Sequence, residues 1–177
     1  MKRIITICVF IWLLATGTLF ALSDTTSHDV TMQVNEIALI DLNNTAAITL
    51  TTNNPANGGD DPLGDTDSTK LLQYTSLAGA ALSRNITAQW GATDTAPAGT
   101  SLKLQATSIP AGCGTAAAQV TLSNVGQNLI TGIGSCATGT GASGAALTYT
   151  FSIDTVGSLV VGETQTVTVT FTLTDAA

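Results

Sequence analysis

Four aspartates within eight positions, Asp60, Asp61, Asp65 and Asp67, are the densest cluster in this chain of side chains able to do chemistry. They lie in a Gly-, Asn- and Thr-rich stretch from Asn57 to Thr69. Carboxylate oxygens are hard donors suited to Ca²⁺, and Asp65-x-Asp67-x-Thr69 resembles the first half of a calcium loop. Lys70 stands where an EF-hand needs Gly, and no Glu follows at the required distance, so an EF-hand is excluded. The competing reading is a solvated Asp/Gly loop whose charges keep the domain soluble. Apart from this candidate Ca²⁺ site, no cofactor is expected.

Other catalytic chemistry is poorly supplied. The single histidine, His28, lies close to the N-terminus and has no partner that spacing identifies, which argues against Ser-His-Asp and Cys-His sites. Glycosidase chemistry needs two carboxyl groups across a cleft, usually with aromatic platforms for the sugar. Beyond residue 23 there are two glutamates, Glu36 and Glu163, and five aromatic residues, Tyr74, Trp90, Tyr149, Phe151 and Phe171. Most of these aromatics fall on apolar strand faces, leaving Trp90 as the stacking candidate for a carbohydrate ligand. The expectation is a protein that is not an enzyme.

Cys113 and Cys136 are 23 positions apart in Gly-rich surroundings, with neither a Cys-x-x-Cys unit nor a neighbouring His. Such a pair reads as a structural disulfide, and therefore as a protein of an oxidising compartment. The N-terminus agrees. Lys2 and Arg3 precede an apolar run from Ile4 to Leu14, and Ala21-Leu22-Ser23 supplies a small-x-small cleavage pattern. Residues 1–23 are expected to be a cleaved signal peptide and 24–177 a single domain, secreted or held at the cell surface, with no membrane span after cleavage. Removing 23 of 177 residues leaves 154, enough for a substantial core. Twelve acidic residues then face only Lys70, Arg84 and Lys103, a net charge of −9, which disfavours nucleic acid and anionic membranes as partners.

The elements that must position these residues are strands. Apolar residues alternate with period two at Leu72/Tyr74, Ile86/Ala88/Trp90, Leu102/Leu104/Ala106, Leu147/Tyr149/Phe151/Ile153 and Val167/Val169/Phe171/Leu173. Shorter candidates are Ile48/Leu50, Val120/Leu122 and 127–131. Threonine provides 29 of the 154 residues, and its β-branched hydroxyl side chain suits a pleated surface facing water. No segment reads as a helix. Eight or nine short strands between Gly, Asn, Pro and Ser turns predict an all-β, two-sheet antiparallel sandwich with immunoglobulin-like topology. Near the start, Val30, Met32 and Val34 alternate, and the phase breaks at Asn35-Glu36 before Ile37 and Leu39. An apolar N-terminal strand behind a polar tail has the form needed to complete a neighbour's open sheet edge, so these five residues are donor-strand candidates.

Leu72-Gln73-Tyr74-Thr75-Ser76, Ser83-Arg84-Asn85-Ile86-Thr87-Ala88, Pro97-Ala98-Gly99-Thr100, the run from Gln127 to Gly134 and the closing Thr/Val alternation resemble small secreted bacterial β-sandwich proteins of uncharacterised function. These are distantly similar to chaperone–usher pilin and fimbrial subunits. The resemblance implies a pilin-like extracellular domain with an assembly or adhesion role, whose partners are further copies of itself or a periplasmic chaperone. Two features depart from the pilin pattern: Ala176 replaces the penultimate aromatic residue, and Cys113 and Cys136 do not join the first two strands. The alternative function is a monomeric carbohydrate-binding or calcium-dependent module.

Overall fold

The structure, a computed structural model, describes residues 24–176. The expected signal peptide, residues 1–23, lies outside the described residues. The chain divides into two compact units, 1–33 and 34–177. In the first, residues 24–33 carry no helix or strand. The second contains ten strands: β1 Ile37–Leu42, β2 Asp65–Leu77, β3 Arg84–Trp90, β4 Thr100–Thr107, β5 Thr115–Ala116, β6 Val120–Thr121, β7 Gln127–Ile133, β8 Cys136–Ala137, β9 Ala145–Ile153 and β10 Val169–Asp175. Among the described residues the one helical element is the 3₁₀ turn Val156–Ser158.

The strands form two antiparallel sheets, as the period-two pattern requires. The first runs β1-β2-β9-β4-β6, with β8 pairing the far end of β2, and the second runs β10-β3-β7-β5. Alternate residues of facing strands meet in one core. Leu72, Tyr74, Leu104, Ala106, Ala145, Leu147 and Tyr149 come from the first sheet, and Ile86, Ala88, Leu129, Ile130 and Ile133 from the second. The sequence anticipated the five long strands of this core and, from Val120/Leu122, the short β6, while β5 and β8, two residues each, are too short to show a period. Two expected strands are absent as such. Val30, Met32 and Val34 lie outside any strand, and β1 begins only at Ile37. Ile48 and Leu50 are half-buried against the core but lie outside any strand. The last strand begins at Val169, two residues after Val167.

One end of the sandwich is tied shut. Cys113 and Cys136 form a disulfide with Cα atoms 5.4 Å apart, as expected, and a closed loop of this length stabilises the fold by roughly 3 kcal/mol. The buried Tyr74 hydroxyl donates to the Cys113 carbonyl at 2.7 Å, which fixes the loop against β2. Gly114, at φ +105, packs so closely on Ile130, Thr131 and Ile133 that a side chain there would collide with β7.

At the same end Arg84, the first residue of β3, is buried and joins the sheets. Its Nη1 donates to Ile37 O at 2.7 Å, Leu77 O at 3.1 Å and Ser76 Oγ at 3.2 Å, and its Nε donates to Asp175 Oδ1 at 3.0 Å. Glu36 completes the charge balance at 3.7 Å. One guanidinium thus holds β1, β2, β3 and β10. Arg84→Met strands three acceptors at a buried site and is predicted to lower unfolding stability by about 3 kcal/mol. The urea midpoint reads this directly, and an unchanged midpoint contradicts the role.

Candidate functional site

The opposite end of the sandwich is open. β1 stops at Leu42 because the Asn43 side chain takes over the ladder: its Oδ1 accepts from Leu71 N at 2.8 Å and its Nδ2 donates to Thr69 O at 3.4 Å. The chain then bulges away from β2. Lys70, inward-facing on β2 and only 6% exposed, fills the gap by donating to Asn44 Oδ1 and to the Ala46 carbonyl. The ammonium replaces backbone pairing with side-chain pairing, and residues 45–50 have no hydrogen-bonded backbone N–H.

On the other sheet, β10 begins at Val169 opposite Trp90, where β3 ends. Asp94 Oδ2 accepts from Thr168 N at 2.9 Å and from Gly91 N at 3.1 Å, which ties the chain before β10 to the 91–99 loop. Residues 164–167 are left without backbone N–H partners.

Between these two unpaired segments lies a cavity of about 920 Å³. Its inner wall is the unfinished end of the core: Trp90, Leu102, Tyr149, Phe151 and Phe171, with Lys70 at one side. The outer walls are 44–52 and 159–169, which turn Ile48, Leu50 and Val167 inward. An apolar cavity flanked by extended chains with free backbone groups can take an added strand, whose N–H and C=O groups would pair with those chains while alternate side chains fill the interior. A six-residue stretch such as 45–50 spans about 20 Å and admits three inward side chains.

The aspartate cluster has a different use. Asp65 Oδ2 accepts from Thr51 N at 3.3 Å and its Oδ1 from Thr66 N at 2.8 Å. Asp67 Oδ1 accepts from Thr69 N at 3.0 Å and Thr69 Oγ1 at 2.8 Å, closing the bulge that β2 makes against β9 between Asp67 and Lys70. Asp60 accepts from Asn57 Nδ2 at 3.1 Å. Among the described residues no three His, Cys, Asp or Glu side chains are gathered as metal ligands, so Asp60, Asp61, Asp65 and Asp67 are not brought together. Trp90 is half-buried against the core and lines the cavity, instead of standing out as a surface platform. Of the donor-strand candidates, Ile37 and Leu39 are committed to β1, opposite Leu77 and Thr75, whereas Val30, Met32 and Val34 are 68%, 90% and 86% exposed. Lys70 and Arg84 were missed as structural cations, although each shares the inward phase of its strand, Lys70 with Leu72 and Tyr74 and Arg84 with Ile86 and Ala88.

Burial raises the hydroxyls of Tyr74 and Tyr149 to about 12, with Asp67 adding to the effect at Tyr149. A raised folded-state value means that the unfolded chain loses these protons first. The stability they provide is therefore complete below pH 10 and is lost as pH rises from 10 through 12. Ultraviolet titration of the folded protein is predicted to show both tyrosines ionising near pH 12, and ionisation near pH 10 contradicts their packing. Lys70→Met leaves the Asn44 and Ala46 oxygens without their donor and is predicted to cost about 1–3 kcal/mol in a denaturant titration.

Among the described residues no helix is long and apolar enough to cross a membrane. Comparison with known proteins finds no matching family model, no matching curated protein and no matching solved structure.

Proposed function

We propose that this protein is a non-enzymatic, extracytoplasmic structural or adhesion subunit that assembles with further copies of itself by strand exchange. The observation that carries the reading is the apolar cavity between two segments whose backbone N–H groups are unpaired, since a sheet edge beside an unfinished core is a site for β-strand addition. The disulfide is compatible with an oxidising, extracytoplasmic setting.

The proposed occupant is the N-terminal arm, residues 24–36, of a second copy. Its Val30, Met32 and Val34 alternate with polar residues and are solvent-exposed, and three inward side chains are what the gap admits. Chain reach favours a neighbour over the arm's own domain. The arm joins the sheet at Ile37, whereas the cavity begins at Leu42, the far end of a strand about 20 Å long. Folding straight back along β1, an arm would spend Val34 and Met32 beside β1 and offer the cavity mostly the polar stretch before Val30. An arm from another copy has no such constraint.

Replacing Met32 and Val34 together by Asp is predicted to abolish concentration-dependent oligomers in light scattering while leaving thermal unfolding unchanged. Oligomers of undiminished size contradict the donor role, and a lower melting temperature of the monomer shows that the arm belongs to its own domain.

A further inference from the structure

Residues 159–169 border the cavity on one side. We propose that residues 159–168 form a strap across its mouth, held by two carboxylate latches, Glu163 and Asp94, that set how fast a strand enters. This rests on the reading of the cavity as a strand acceptor.

The strap leaves the 3₁₀ turn Val156–Ser158, reverses at Val160–Glu163, where Glu163 N donates to Val160 O at 3.2 Å, and ends where β10 begins. Both of its latches engage the same loop, 91–99. Near its start, the Glu163 carboxylate accepts from Ala98 N at 3.3 and 3.4 Å. At its end, Asp94 accepts from Thr168 N at 2.9 Å. Between them, residues 164–167 have no hydrogen-bonded backbone N–H, and Val160 and Val161 are 63% and 104% exposed. Leu159 and Val167 alone turn partly inward.

The loop itself is firmly placed. Gly99 O accepts from Asp154 N at 2.9 Å and Thr155 N at 3.0 Å, and Gly99, at φ +75, sits so close to Thr155 O that no side chain fits. The strap thus lies between fixed points and is retained by a few solvent-exposed bonds, the kind that open at low cost. For a strand to pair with 164–167 the strap must lift to admit it and settle again on top. Breaking a latch lowers the barrier to lifting without removing any wall of the cavity.

The test uses full-length protein with Glu163→Ala, Asp94→Ala or both, and a fluorescent synthetic peptide of residues 24–36 as the probe, followed by stopped-flow anisotropy. Each single variant is expected to raise the association rate about three- to tenfold, and the double variant more, as loss of one ordinary hydrogen bond implies. Amide exchange at Ala98 in Glu163→Ala and at Thr168 in Asp94→Ala is expected to accelerate before any peptide is added, an independent sign that the latches have opened in a folded protein. If the wild type binds the peptide and the variants associate at the same rate or more slowly, the latch proposal is overturned while the acceptor reading stands. If neither wild type nor variants bind, the acceptor reading falls and the strap with it.

Discussion

Every N–H and C=O group along a sheet edge must find a partner or water, and the core behind that edge must be covered. In this protein the two requirements part company at one end. Backbone pairing with β2 ends at the bond from Asn43 N to Leu71 O, 3.0 Å, on one sheet, and β10 begins only at Val169 on the other, yet Trp90, Leu102, Tyr149 and Phe151 line the cavity at this end. Two charged side chains hold that state. Lys70 keeps the chain after β1 at side-chain distance from β2, and Asp94 ties the chain before β10 to the 91–99 loop beyond the end of β3. Residues 45–50 and 164–167 are left without hydrogen-bonded backbone N–H groups.

An unfinished end needs a finished one. Arg84, the Cys113–Cys136 disulfide and the Tyr74 hydroxyl concentrate at the opposite end, where they cross-link β1, β2, β3, β10 and the 111–114 loop. β1, β2, β3 and β10 also contribute Leu42, Lys70, Trp90, Val169 and Phe171 to the lining of the large cavity, whereas the 111–114 loop contributes nothing. Stability is thereby localised away from the site where structure must yield, the usual arrangement for a protein that binds through a low-stability region.

Much of the fold was legible in the sequence, for a physical reason. Strands buried on one face must alternate, and Ile86/Ala88, Leu104/Ala106 and Leu147/Tyr149 do so without interruption. The disulfide followed from two cysteines and a compartment. What alternation cannot express is whether a partner exists. Val30/Met32/Val34 and Ile48/Leu50 alternate as well as the core strands do, yet neither is in a strand, because pairing is a property of the neighbour as much as of the segment. The bulge at Asp67 moved the inward register of β2 from odd to even positions and so turned Lys70 inward, a shift that only the β9 pairing reveals. The aspartates are ambiguous for a related reason: carboxylates that cap backbone amides and carboxylates that bind calcium share the same residue types and spacing.

The central claim is that the segments flanking the cavity are paired by an incoming strand. Amide hydrogen exchange of the assembled wild-type protein, compared with its dissociated monomer, tests this most directly. The account predicts strong protection of residues 45–50 and 164–167 in the assembly and rapid exchange of both in the monomer. Equally rapid exchange of both segments in the two states would contradict it.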